Sequence, residues 1–123
     1  MDTSMLYTEL GRMAYAMATA NGDVKEKELE NVFNFIDEEI ESTGSNAPLL
    51  LGEEFTKLRR MHASARDAFS MFTNFLEHHG NSIQQSIKNT CIRLAIKIAS
   101  SDEGVDETEV ALINKLRKKL ELT

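Results

Sequence analysis

Apolar side chains recur at three- and four-residue spacing along most of the chain, and the breaks in that rhythm coincide with turn signals. Leu6, Leu10, Met13, Ala14 and Met17 mark one face of a helix over about Ser4 to Ala20. Asn21-Gly22 stops it, since both residues tolerate the left-handed conformation that closes a helix. A second helix follows, with Lys25 as N-cap, Glu28 at its third position, and Val24 and Leu29 placed as a hydrophobic staple. Leu29, Val32, Phe33, Ile36 and Ile40 form its inward face, and Ser42-Thr43-Gly44-Ser45-Asn46 ends it ahead of Pro48. From Leu49 to His79 a seam of Phe55, Leu58, Ala65, Phe69, Phe72 and Leu76 is interrupted by His62. Ser64 is a candidate cap, so this stretch reads as two helices. A fifth helix, roughly Ser82 to Ser100, buries Ile83, Ile87, Cys91, Leu94, Ala95 and Ile98. It is apolar on more than one face and is expected to be the central helix. The sixth, from Glu107 to about Leu120, turns Val110, Ile113, Leu116 and Leu120 inward.

The chain repeats itself. Ala18-Thr19-Ala20-Asn21-Gly22-Asp23-Val24-Lys25-Glu26-Lys27-Glu28-Leu29 returns without a gap as Ala99-Ser100-Ser101-Asp102-Glu103-Gly104-Val105-Asp106-Glu107-Thr108-Glu109-Val110. The same register pairs Arg12, Met13, Ala14 and Met17 with Arg93, Leu94, Ala95 and Ile98, and Val32 and Phe35 with Ile113 and Leu116. Two helix-turn-helix pairs, residues 6–36 and 87–117, therefore flank a middle pair. The prediction is all-α: a compact single domain over 1–123, a bundle of about six helices with an internal pseudo-repeat and a pseudo-twofold axis. Two copies are too few to stack as a solenoid.

Composition narrows the class of function. The 20 acidic residues outnumber the 14 basic ones, leaving a net charge of −6, which argues against nucleic acid as a partner. The cluster Lys115, Arg117, Lys118 and Lys119 falls where the last helix ends and complements its dipole. No stretch approaches the ~18 apolar residues of a membrane span, and the single Cys91, on an apolar stripe, suits a reducing compartment and a buried position. A cytoplasmic location is expected. No phosphate loop, nucleophile elbow or acid–base pair stands out, so no enzyme is expected.

The chemistry that remains lies in the two acidic turns. Asn21, Asp23 and Glu28 in one, and Asp102, Glu103, Asp106 and Glu109 in the other, all carry oxygen ligands, the donor type that a hard divalent cation such as Ca²⁺ or Mg²⁺ takes. The EF-hand register fails: with Asp102 first, Ile113 stands twelfth, where a bidentate Glu is needed. A site must be assembled from both turns, which are expected to share one end of the domain. Helix initiation accounts for part of the same pattern, because Asp106 is a preferred N-cap and Glu28 and Glu109 stand where a capping box needs them. His62, His78 and His79 with Cys91 make a poor zinc set, since neighbouring residues on a helix point about 100° apart. A protein partner is also expected, and two surfaces suit one. Met5, Met61 and Met71 offer adaptable apolar contact. Phe75, off the seam shared by Phe69 and Phe72, offers an exposed ring.

The repeated turn, a small-residue helix end, Asn or Asp with Gly, then Val and a Glu, resembles the tellurite-resistance TerB-like domain family. The stretches that carry the resemblance are Ala18 to Leu29 and Ala99 to Val110, and with the helices around them it extends over most of Leu6 to Leu120. A similar all-helical fold occurs at the amino end of membrane-anchored DnaJ-type co-chaperones. The family's Asp-Gly is Asn21-Gly22 in the first copy, which removes a carboxylate, and Asp102-Glu103-Gly104 in the second, which adds a residue. The resemblance implies a small, cytoplasmic, non-catalytic stress-response domain whose acidic residues hold divalent metal.

Overall fold

The computed structural model describes residues 3–20, 22–79, 84–100 and 107–122. They form α1 (Thr3–Thr19), α2 (Glu26–Thr43), α3 (Leu49–Arg60), α4 (Ala65–His79), α5 (Gln85–Ala99) and α6 (Glu107–Leu122). The order and class are those the apolar rhythm predicts. Burial keeps the repeat register: the pairs Leu10/Cys91, Met13/Leu94, Met17/Ile98 and Phe35/Leu116 are all fully buried. Among the described residues no helix is long and apolar enough to cross a membrane.

Local chemistry sets the boundaries. Gly44 takes a left-handed φ of 67°, and its N–H donates to the Ile40 carbonyl at 2.9 Å, closing α2. Ser64 Oγ accepts the Asp67 N–H at 3.0 Å and opens α4, so the middle stretch is two helices. Ser64→Ala is expected to lower stability by about 1 kcal/mol. Denaturant titration of the two proteins checks this, and equal midpoints would remove the cap from the account.

Three expectations about burial are corrected. The central helix is α1, not α5. It packs against α2, α3, α4 and α5, and it buries an unbroken run from Met13 to Ala18. Small residues explain this. Gly11, Ala14, Ala16 and Ala18 let neighbours close in from several sides, whereas Ile96 of α5 stays 39% exposed. His62 does not interrupt a buried seam; it is exposed, at φ 51°, in the turn between α3 and α4. The helix has already ended at Arg60, so spacing no longer carries the buried face through it.

The third correction concerns aromatic rings. Phe75 is buried, with its ring 6.4 Å from that of Phe72 and 4.9 Å from that of His79. α4 is covered by both α1 and α6, and a helix covered on two sides buries a wider arc than one seam. Phe33, expected inside, is 45% exposed, and Val110 is 43% exposed. On α2 the buried arc is Glu28, Val32, Phe35, Ile36 and Glu39, rotated away from Phe33. Met5, Met61 and Met71 do reach solvent.

Candidate functional site

The first acidic turn runs from the end of α1 to the start of α2. Gly22 holds φ 130°, a conformation open to glycine, and Asp23 beside it is exposed. Val24 and Leu29 are both half-buried at the staple positions. Glu28 Oε1 accepts the Lys25 backbone N–H at 2.8 Å, the return half of a capping box; the Lys25 side chain has no acceptor for the other half. Unlike an ordinary cap, Glu28 is completely buried, and Glu109, its partner in the repeat, is 2% exposed. Both stand in the first turn of their helices.

The helices that the two turns join come together at one end. Asn31, near the start of α2, donates from Nδ2 to the Lys97 carbonyl at 3.1 Å in the last turns of α5. Ala20, just past α1, lines one cleft with Thr108 in the first turn of α6. Of the seven candidate ligands, Asp23, Glu28 and Glu109 are described as above. Asn21, Asp102, Glu103 and Asp106 lie outside the described residues. Among the described residues no group of three His, Cys, Asp or Glu is placed to hold a metal ion.

His62 lines a polar cleft of about 260 Å³ with Tyr15, Thr19, Asp23, Val24 and Arg59. His62 and Asp23 are both exposed, so this is an open surface cleft. Burial pushes the Cys91 thiol up to about 12, which removes it as a nucleophile at neutral pH.

Sequence reasoning missed the ion pairs made to buried glutamates. Arg12 of α1 reaches Glu54 of α3, Nε to Oε2 at 3.0 Å, and also holds Glu9 on its own helix. Arg93 of α5, the repeat partner of Arg12, donates to Glu39 Oε2 of α2 at 2.9 Å, with its guanidinium 5.3 Å over the Phe35 ring. Tyr7 donates to the other Glu39 oxygen at 2.9 Å. Burial, then that hydrogen bond, push the Tyr7 phenol up to about 12. Each copy thus uses its arginine to tie two helices through a buried glutamate. The matched arginines were visible in the repeat; their partners were not, because Glu54 and Glu39 have no counterparts in that register.

The family model for tellurite resistance protein TerB matches residues 9–123. The chain belongs to the TerB family. The TerB match begins in the second turn of α1 and runs through both acidic turns and all the helices after them. Comparison with curated proteins and comparison with solved structures returned no match. None of these comparisons supports the expected likeness to co-chaperone domains, while membership of TerB rests on nearly the whole chain.

Proposed function

We propose that this TerB chain is a non-enzymatic, cytoplasmic stress-response domain that binds a hard divalent cation weakly through its two acidic turns. The observation that carries the reading is the meeting of helix ends. The Asn31–Lys97 hydrogen bond, with the cleft that Ala20 and Thr108 both line, supports a common end of the domain for the helices on either side of both turns. The donor set fits such an ion, since Asp23, Glu28 and Glu109 with Asn21, Asp102, Glu103 and Asp106 offer oxygen only. When bound, Ca²⁺ or Mg²⁺ supplies positive charge that offsets the repulsion among these side chains. The pseudo-twofold relation between residues 6–36 and 87–117 belongs to the same reading, and superposing the two segments tests it.

Calorimetric titration with Ca²⁺, Mg²⁺ and Zn²⁺ tests the binding. A free cation at tenfold its Kd is expected to add about 1.4 kcal/mol by mass action, or roughly 5 °C in Tm for a chain of this size. Asp102→Asn with Asp106→Asn is expected to remove most of that gain, at a cost of about 0.5 kcal/mol from the lost cap charge. Flat titrations with all three ions, and a Tm indifferent to them, would leave the turns as helix caps. The competing reading, an interaction module with no metal role, loses the exposed Phe75 ring expected to support it, because Phe75 is buried.

A further inference from the structure

Phe33 is 45% exposed and Leu49 is 49% exposed, and the two flank one groove between α2 and α3. The groove has a volume of about 400 Å³, with Ile36 and Gly52 beneath it. A Cβ at Gly52 would lie 3.1 Å from Ile36 Cδ1 and 3.6 Å from Phe33 Cε1, so the missing side chain is part of what keeps the groove open. Its α3 wall runs from Leu49 to Arg60, 12 residues, or roughly 17 Å of helix. That length accommodates two to three turns of a second helix, enough for anchors at i, i+4 and i+7.

The surroundings select the charge of the occupant. Glu26, Glu30, Asp37 and Glu41 are all exposed and, with Phe33 among them, follow one line along α2 at three- and four-residue spacing. Glu53 stands on the α3 wall, and the cation in the lining is Arg60, in the last turn of α3 where it answers that helix's own dipole. An acidic rim repels anionic lipid headgroups and anionic small molecules. A second copy of the chain is a poor occupant. Its basic helix, α6, commits Leu116 and Leu120 to its own core, where they are 0% and 4% exposed.

We infer that the α2–α3 groove docks an amphipathic helix of a partner protein, with apolar anchors over Phe33 and Leu49 and Lys or Arg on its flanks. This goes beyond the cation reading and shares no lining residue with the acidic turns.

The test is fluorescence anisotropy in EDTA, so that it stands or falls apart from cation binding. The probes are a labelled synthetic helix of about 14 residues, with Leu at i, i+4 and i+7 and Lys on its flanks, and a twin with Glu for Lys. The Lys probe is expected to bind about tenfold or more tighter than its twin, and Phe33→Asp and Leu49→Asp are each expected to weaken it by about tenfold. Glu30→Lys with Asp37→Lys is expected to reverse the preference between the probes, while Glu107→Lys on α6 leaves it unchanged. The charge-reversed pair touches no buried apolar group, so it decides the question even if Phe33→Asp unfolds. Circular dichroism checks the fold of each variant. No binding by the Lys probe, equal binding of the twins, or an equal loss from Glu107→Lys would overturn the inference. So would a self-association, seen by sedimentation, that Phe33→Asp abolishes, since the occupant is then a second copy.

Discussion

Gly11→Ala is expected to lower the stability of this domain by about 2 kcal/mol or more, although alanine is the better helix former. A Cβ at position 11 would lie 2.6 Å from the Leu51 backbone oxygen and 2.9 Å from Glu54 Cβ. The nearer atom is backbone, so α3 itself would have to move. Helix propensity favours Ala over Gly by about 1 kcal/mol, whereas overpacking a close contact costs about 1–3 kcal/mol and sometimes more. The clash wins because α3 is tied to α1 by the Arg12–Glu54 ion pair and by the edge-on contact of Tyr15 with Phe55, centroids 5.8 Å apart. A loss of about 2 kcal/mol corresponds to roughly 8 °C in Tm for a chain of this length. Gly52→Ala is the matched control. Its Cβ would meet the flexible end of Ile36 at 3.1 Å, which gives way by a few tenths of an ångström. That variant is expected to stay within about 0.5 kcal/mol of the parent. Thermal melts of the two variants decide the point; a Gly11→Ala protein as stable as Gly52→Ala would show that α1 and α3 do not approach this closely.

Arg12→Met is expected to cost about 3 kcal/mol at neutral pH, and much less in mild acid. The Arg12 guanidinium joins Glu9 and Glu54, which are 6% and 8% exposed. Without it Glu54 keeps Lys57, with Nζ 3.7 Å away on an exposed side chain, and Glu9 loses its cation. The loss falls at the lower end of the range for broken buried pairs because Arg12 is itself 26% exposed and Glu54 retains that second cation. Burial holds the Glu9 carboxyl above the usual carboxylate range, with Arg12 pulling it the other way. Removing Arg12 removes the downward pull, so the folded-state value rises further. A carboxyl raised on folding contributes stability that is fully present below its unfolded value of about 4.3. That contribution is lost as pH rises through the raised folded value. The gap between parent and variant is therefore widest at neutral pH and narrows toward about pH 4. Denaturant titrations across that range give the curve, and a gap independent of pH would mean the arginine acts through packing alone. Adding Glu9→Gln to Arg12→Met is expected to recover part of the loss at neutral pH, because a neutral amide tolerates burial that an unpaired carboxylate does not.

Both predictions concern contacts between α1 and α3, helices far apart in sequence, and this is where reading the sequence fell short. The Ser64 cap, the Gly44 stop and the start of α2 after Lys25 were legible because each is settled by neighbours within a few residues. The acidic turns were legible as turns for the same reason. The burial of Glu28 and Glu109 was not, since their positions alone mark them as capping residues that normally face water. Phe75 and Phe33 changed places with respect to solvent because a helix's buried arc depends on how many neighbours cover it and from which side. Periodicity finds the centre of that arc and leaves its width open.

By itself the sequence determined the six helices of the described residues and their order, carried by short-range pattern, and the 81-residue repeat between Ala18 and Ala99 and the family, carried by residue order along nearly the whole chain. Tertiary structure alone decided which helix is central. Small size at Gly11, Ala14, Ala16 and Ala18 reads locally as a weak apolar face, and only packing turns it into room for the four neighbours α2, α3, α4 and α5. Tertiary structure also chose the glutamate partners of Arg12 and Arg93, 42 and 54 residues away from them. Those pairings, like the open α2–α3 groove, depend on where whole helices lie, and helix placement is fixed by the summed packing of the core, not by any residue's neighbours in the chain.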